Sequence, residues 1–423
     1  MNRFLKILHL YLDGFFLGFC LIVLPAASFI LKSAEAGALS DRQYGLSYLP
    51  MNISAVAVCL LFQKAHRKWG SRTLLVVSFL ALGGYLACML AAGRGHLNRD
   101  VFLWILSANL CLGVGFGYLL SVLNYETAVI DPAIQDSLLL GLHASLGMGA
   151  ALSPLAVHFF YAQGDWSRTL LALLGVWLPL LALSFIFRPC SPRGDAQKER
   201  TCPSRSSGQD VLTAVSGVSS CSPEKSGTPL PAKAWFFLGT ILIYGIAESI
   251  TGNWSTIYLT RVKLFSPATA SGCLSIFWVM LTLGRVLSSF LTLKFDPRWI
   301  YRLSPVFMTC AFFYLLGLQD ESAAVPAYAL IGGACSYFFP LSIGLAVTYF
   351  HEFKESLSGL GVAALMVGVS LGSSLTGFLQ DIRWMTVTGT MQLAGIAAAV
   401  LILCAFGISL AKIPVKGAAS CSI

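Results

Sequence analysis

The chain is a succession of long apolar runs, each bounded by charged residues or turn formers. A membrane-spanning helix needs about 20 consecutive, mostly apolar residues. Twelve runs meet that length. The first six lie at roughly 5–31, 45–63, 73–92, 101–125, 137–161 and 168–187. The second six lie at roughly 234–259, 267–293, 299–318, 324–350, 357–379 and 385–411. The runs do not alternate between apolar and polar residues over ten-residue stretches, which excludes a membrane β-barrel.

Residues 188–233 break this pattern. The stretch is rich in Ser, Pro and Gly, as in "SPRGDAQKERTCPSRSSGQD", and reads as a flexible linker. Six runs, a linker and six runs predict a duplicated architecture. The expected organisation is a six-helix bundle over 1–187, a cytoplasmic linker over 188–233 and a second six-helix bundle over 234–423. The expected fold class is all-α and integral to a membrane.

Composition and charge sharpen this picture. Hydrophobic residues make up 56% of the chain and charged residues 11%, against roughly a quarter charged in soluble domains. Soluble, disordered and collagen-like classes are thereby excluded. The net charge of +9 comes from 28 Lys and Arg against 19 Asp and Glu. Nineteen of those 28 basic residues fall in segments on the side of the N-terminus, and eight fall on the other side. By the positive-inside rule, both termini are expected in the cytoplasm. No basic face is interleaved with exposed aromatics, so nucleic acid is not an expected partner.

Most of the twelve cysteines lie inside apolar runs, and no C-x-x-C pair occurs. A structural metal site is not expected, nor is a cofactor. Cys190, Cys202 and Cys221 share the linker and read as reduced thiols. The triple Gly113, Gly115, Gly117 has no preceding strand, so it is not read as a dinucleotide loop. No P-loop and no nucleophile–base signature is present, so an enzyme is not expected.

Short motifs resemble the major facilitator superfamily. "QKAHRKWGSRTLL" between runs two and three is similar to its G-x-L-A-D-R-x-G-R-R loop, with Gly70 and Arg72 matching and Arg67 standing where the acid would be. "GVGFGYLLSVLNYETAVIDP", "LLLGLHASLGMGAALSPL", "YGIAESITGNWSTIYL", "SIFWVMLTLGRVLSSFL" and "SYFFPLSIGL" resemble the fucose permease-like group. The resemblance covers the whole chain. It implies twelve helices, alternating access and proton-coupled sugar uptake. The span-four acid of that group falls near Leu120 here, so neither Asp13 nor Glu126 takes a role by direct correspondence.

Charges inside the runs are few, and each is costly in hydrocarbon. Asp13, Glu126 and Glu248 are the buried acids, and Arg285 is the clearest buried cation. Together with His143, which titrates near neutral pH, the three acids are the candidate proton-coupling groups. For Asp13 the alternative is a rim acid paired with a Lys such as Lys6. For Glu126 it is pairing with Arg67 or Lys68.

Glu248 stands near mid-depth in run seven. At about 100° per residue, Glu248 and Tyr258 share one broad helix face, with Asn253 at its edge and Trp254 further round. Rings that stack on apolar sugar faces, beside groups that bond hydroxyls, suit a polar organic solute. The candidate substrate contacts are Asn109, Asn124, His143, Glu248, Asn253, Trp254, Tyr258 and Trp278. Arg67, Arg72 and Arg285 are candidate gate or structural residues.

The expected function is secondary transport: proton-coupled uptake of a small polar organic solute, such as a monosaccharide, by a monomer in the inner (plasma) membrane. Efflux of a drug, siderophore or metabolite is the first alternative. A non-transporting receptor or assembly partner is the second.

Overall fold

The computed structural model describes residues 3–33, 39–94, 101–130, 134–187, 230–350 and 353–410. The linker through residue 229, with Cys190, Cys202 and Cys221, lies outside the described residues. So does Cys421.

Among the described residues, twelve helices are long and apolar enough to cross a membrane. In chain order they are α1 (Arg3–Leu31), α2 (Asp41–Phe62), α3 (Lys64–Gly93), α4 (Val101–Thr127), α5 (Leu138–Ala162) and α6 (Ser167–Ile186). Then follow α7 (Ala232–Val262), α8 (Pro267–Leu287), α9 (Pro297–Gly317), α10 (Glu321–Ala346), α11 (Leu360–Asp381) and α12 (Val387–Gly407). Backbone groups in hydrocarbon must be satisfied within the segment, which is why the runs are helical. Large apolar side chains such as Leu60, Leu178, Phe307 and Leu403 are exposed on the outer surface, as lipid contact requires.

Local sequence sets the ends. Ser40 and Gln43 form a capping box at the start of α2. Ser266 caps α8, with Pro267 at the first helical position, and Asp296 caps α9, followed by Pro297. The charged segment between runs two and three does not form the expected loop. Lys and Arg are good helix formers, so helix continues through Lys64–Trp69 and breaks only at Gly70, with φ 74° and ψ 165°. That backbone is open to glycine alone. Helix α1 is interrupted at Ala27, just past Pro25, and α10 at Ser336 and Tyr337, just before Pro340. Two wide π-helical turns interrupt the regular α geometry, Tyr258–Val262 in α7 and Leu371–Leu375 in α11.

Glycines set the closest helix contacts. Gly18 of α1 lies against the Leu146 backbone of α5, and Gly149 of α5 lies against the Phe15 backbone of α1. In the second half, Gly245 of α7 and Gly368 of α11 approach the same way. The first and fifth helices of each half thus pack alike, as a duplicated architecture requires.

The halves meet along two helix pairs. Gly45 of α2 crosses Gly377 of α11, and Gly147 of α5 faces Thr282 of α8. These pairs are equivalent when the two halves are exchanged.

Candidate functional site

The polar residues of the membrane helices fall into three groups. One lies at mid-depth where α5, α7 and α8 face one another. Glu248 of α7 is buried, and its Oε1 lies 3.8 Å from Nη2 of Arg285 on α8. The Arg285 side chain is 34% exposed and the Glu248 side chain 11%, so the guanidinium is the accessible member of the pair. Tyr244, one turn before Glu248, is within hydrogen-bond reach of the carboxyl. The Tyr244 hydroxyl also donates to the Cys335 carbonyl at 2.9 Å. His143 of α5 is half-buried and within electrostatic reach of Arg285. Trp278 of α8 lies over Gly252 of α7, and its indole Nε1 has no hydrogen-bond partner.

A second group closes the end of the bundle opposite the N-terminal end of α1. Ser28 donates to Thr256 at 2.5 Å, and Thr256 donates to the Pro25 carbonyl at 3.0 Å, joining α1 to α7. Tyr48 donates to the Tyr44 hydroxyl, and Tyr44 donates to the Asn253 carbonyl, each at 2.6 Å. Ser374 of α11 donates to the Gly45 carbonyl at 2.9 Å. Arg261 donates to the Lys32 carbonyl at the end of α1. Lys32 pairs with Asp41, and its ammonium lies 5.5 Å from the Trp254 ring and 5.8 Å from the Tyr44 ring. Ser275 of α8 donates to the Ala151 carbonyl of α5 at 2.7 Å.

This second group holds three of the expected substrate contacts. Trp254 is fully buried, edge-on to Tyr44 with ring centroids 5.1 Å apart. Tyr258 is buried beneath Lys263. Asn253 donates to Ser373 of α11 at 2.7 Å while its carbonyl holds Tyr44. In this conformation the three are parts of the closure.

The third group lies within the first half. Asp13 is fully buried, and its Oδ2 lies 3.0 Å from His9 Nε2, one turn earlier on α1. Asp13 is therefore ion-paired with His9, one turn earlier on the same helix. The imidazole packs edge-on against Phe187, with centroids 5.5 Å apart. Glu126 is fully buried near the end of α4. Asn109 and Asn124 are buried on α4, and both amide atoms of Asn109 lack a hydrogen-bond partner. Arg67 and Arg72 are exposed on either side of Gly70.

The sequence reading missed His9, Tyr244, Tyr44 and the Lys32–Asp41 pair. The first two had a signal, since each stands four residues before a buried acid, where helix side chains meet. The others come together only in the folded chain. Among the described residues, no group of three or more His, Cys, Asp or Glu side chains could hold a metal ion.

Comparisons with known proteins bear on the fold. No protein-family model matches the chain. It is 25% identical over 276 residues to Bypass of stop codon protein 6 of Saccharomyces cerevisiae, a match covering 61% of this chain. The match spans about half, 54%, of that relative's length. An uncharacterized MFS-type transporter of Yersinia pestis is 20% identical over 355 residues, covering 82% of this chain and 83% of that one. Among solved structures, the xylose transporter XylE from E. coli, in an inward-open conformation, superposes with a TM-score of 0.72 at 14% identity, covering 99% and 98% of the two chains. A bacterial homolog of the human lysosomal transporter Spinster, inward-facing and occupied, gives 0.70 at 12% identity, covering 96% of each chain. FucP in the outward conformation gives 0.55 at 14% identity, covering 96% of this chain and 99% of that one.

Proposed function

We propose that this chain, which has the major facilitator fold, is a secondary transporter that takes up a small polar organic solute, such as a monosaccharide, together with protons. The observation that carries the reading is the Glu248–Arg285 pair. Ionised groups are retained in membrane helices where they face a pathway or carry a proton. This pair stands at the meeting of the halves, at the depth where transporters of this architecture bind their solutes. The described likenesses support it: one is named an MFS-type transporter and one a xylose transporter. Another structure of XylE is described as a proton:xylose symporter bound to 6-bromo-6-deoxy-D-glucose.

Alternating access supplies the mechanism. With both termini in the cytoplasm, the closed end faces outward, and the structure represents the inward-facing state. The halves, 1–187 and 234–423, rock about the central pair while the linker at 188–233 joins them on the cytoplasmic side. Asp13, Glu126, His143 and Glu248 are the proton-coupling groups. Asn109, Asn124 and Trp278 contribute to solute binding, and Asn253, Trp254 and Tyr258 reach it when the outer end opens. A proton and a solute each bias the equilibrium only through unequal affinity for the two states. The protein acts as a monomer in the inner (plasma) membrane.

Purified protein in tight liposomes with an internal pH dye tests this. A solute from a panel of sugars and other polar metabolites should drive proton entry, and Asp13→Asn or Glu248→Gln should abolish that entry while solute exchange persists. Absence of proton movement with every panel member, in vesicles of known orientation, would sink proton-coupled uptake for those solutes.

A further inference from the structure

We propose that a groove along the α5–α8 seam holds the end of a phospholipid acyl chain, and that the seated chain stabilises the conformation in which Ser275 is bonded to Ala151. This occupant is independent of the solute and of the coupling ion.

Helices α5 and α8 come from different halves and touch at two points. Gly147 lies against Thr282, and Ser275 donates to the Ala151 carbonyl at 2.7 Å. A groove of about 290 Å³ runs beside these contacts, with Met148, Leu152 and Leu155 on one wall and Val279 and Leu283 on the other. Both walls stand near the middle of their spans, Leu138–Ala162 and Pro267–Leu287, so the groove lies at the depth of the hydrocarbon core. Met148, Leu152, Leu155 and Leu283 are exposed, so the groove continues the bilayer-facing surface inward.

The lining selects a slender apolar occupant. Its two hydroxyls are engaged within the protein, Ser275 with the Ala151 carbonyl and Thr282 with the Trp278 carbonyl at 2.8 Å. The remaining lining residues are Gly, Ala, Met, Val and Leu, so water finds too few polar partners. Size excludes a helix from a second copy of the chain. From Gly147 to Leu155 the wall runs about 12 Å, and a volume of about 290 Å³ over that length is a mean cross-section of about 24 Å². A helix about 10 Å across needs about 80 Å². A single polymethylene chain is the thin apolar group that a bilayer supplies at this depth.

The gain is packing and not dehydration, because a lipid chain is already out of water. An empty groove leaves the side chains of both walls without contacts on that face, and a seated chain restores them. Each wall belongs to one half, so rocking changes their spacing, and the chain fills the groove well at one spacing only. A ligand that fits one state better shifts the equilibrium toward it. The acyl chain is thus a ligand of the closed-end conformation.

The test uses the full-length protein in nanodiscs of dioleoyl phosphatidylcholine, doped with the same lipid bearing a diazirine at the chain terminus. Peptides covering 147–155 and 275–283 should be labelled about fivefold more than the equally lipid-exposed stretches around Phe307 and Leu403. Val279→Phe fills the groove from one wall and Met148→Phe from the other. Each should remove that excess and leave labelling around Phe307 and Leu403 unchanged. Either variant alone decides the point, so the test survives misfolding of the other. Spin labels at the exposed positions Arg168 and Trp384, one on each half, read the conformation. Diphytanoyl lipid has methyl branches that thicken the chain. Replacing dioleoyl by diphytanoyl lipid should lower the closed-to-open ratio about fivefold in the native protein and leave it unchanged in the filled variants.

Labelling of the groove no stronger than around Phe307 and Leu403 would overturn the site. Disulfide cross-linking of two copies through Met148→Cys would make a second copy the occupant and overturn the acyl chain. An equal response to the lipid change in native and filled proteins would overturn the coupling to conformation.

Discussion

The Tyr44 hydroxyl of α2 donates to the Asn253 carbonyl of α7 at 2.6 Å, tying one half of the protein to the other. Tyr48 supplies the proton that Tyr44 accepts, so the direction of the chain is fixed by the carbonyl at its end. The bond can exist only while this end of the bundle is closed. Tyr44→Phe keeps the ring against Trp254 and removes the bond. A net hydrogen bond contributes about 1 kcal/mol, so the closed-to-open ratio should fall roughly fivefold. Spin labels at the exposed positions Arg168 and Trp384 would report it as a larger population at the long distance. An unchanged distance distribution would mean that Tyr44 does not hold the closure.

The Gly45–Gly377 crossing gives a sharper version of the same test. A Cβ at Gly377 would stand 2.5 Å from the Asp41 carbonyl oxygen, and one at Gly45 would stand 2.9 Å from the Gly377 Cα. Both obstacles are backbone and cannot move aside. Gly377→Ala should therefore trap the protein with this end open, and the Arg168–Trp384 distance should read long in nearly all molecules. Melting of each bundle should be little affected, because the clash lies between the halves and not within one.

Gly70 separates conformation from contact. Its φ is 74°, yet nothing lies within 4 Å of where a Cβ would stand. Gly70→Ala should lower stability by about 1–3 kcal/mol through backbone strain alone. The loss should appear as a reduced melting temperature in detergent, with the Arg168–Trp384 distances unchanged.

Removing one member of the buried His9–Asp13 pair leaves the buried polar atoms of the other without their partner, at a cost of about 1–3 kcal/mol. His9→Leu and Asp13→Leu should each destabilise strongly, and the double variant should lose much less than the sum. A double-mutant cycle on thermal unfolding measures this. Strictly additive losses would show that the two side chains, 3.0 Å apart, do not depend on one another.

Much of the architecture is legible in the chain because a span is a local property, about 20 apolar residues in a row. Twelve were expected, and the described residues hold twelve. The end of α2 fell where it was expected, but the basic stretch that follows, Lys64–Trp69, is helix and not loop, because Lys and Arg favour helix. Glu248 and Arg285 stood out as isolated charges in apolar runs. Their mutual approach could not be read, since it depends on how α7 packs on α8. Trp254 shows the same limit. Its residue type suits a sugar face, but the fold places it against Tyr44 and Lys32 in the closed end.

The wide turns at Tyr258–Val262 and Leu371–Leu375 each hold one more residue than a regular helical turn would. A single deletion inside either could be absorbed by reverting to ordinary α geometry, with the phase of the flanking helix preserved. Elsewhere in α7 or α11 the same deletion would rotate every following side chain by about 100°. These two turns are therefore where the chain can change length without scrambling its membrane helices. In α7 such a shortening would also draw Arg261 back from the Lys32 carbonyl, so a change in length there would double as a change in how firmly that end shuts.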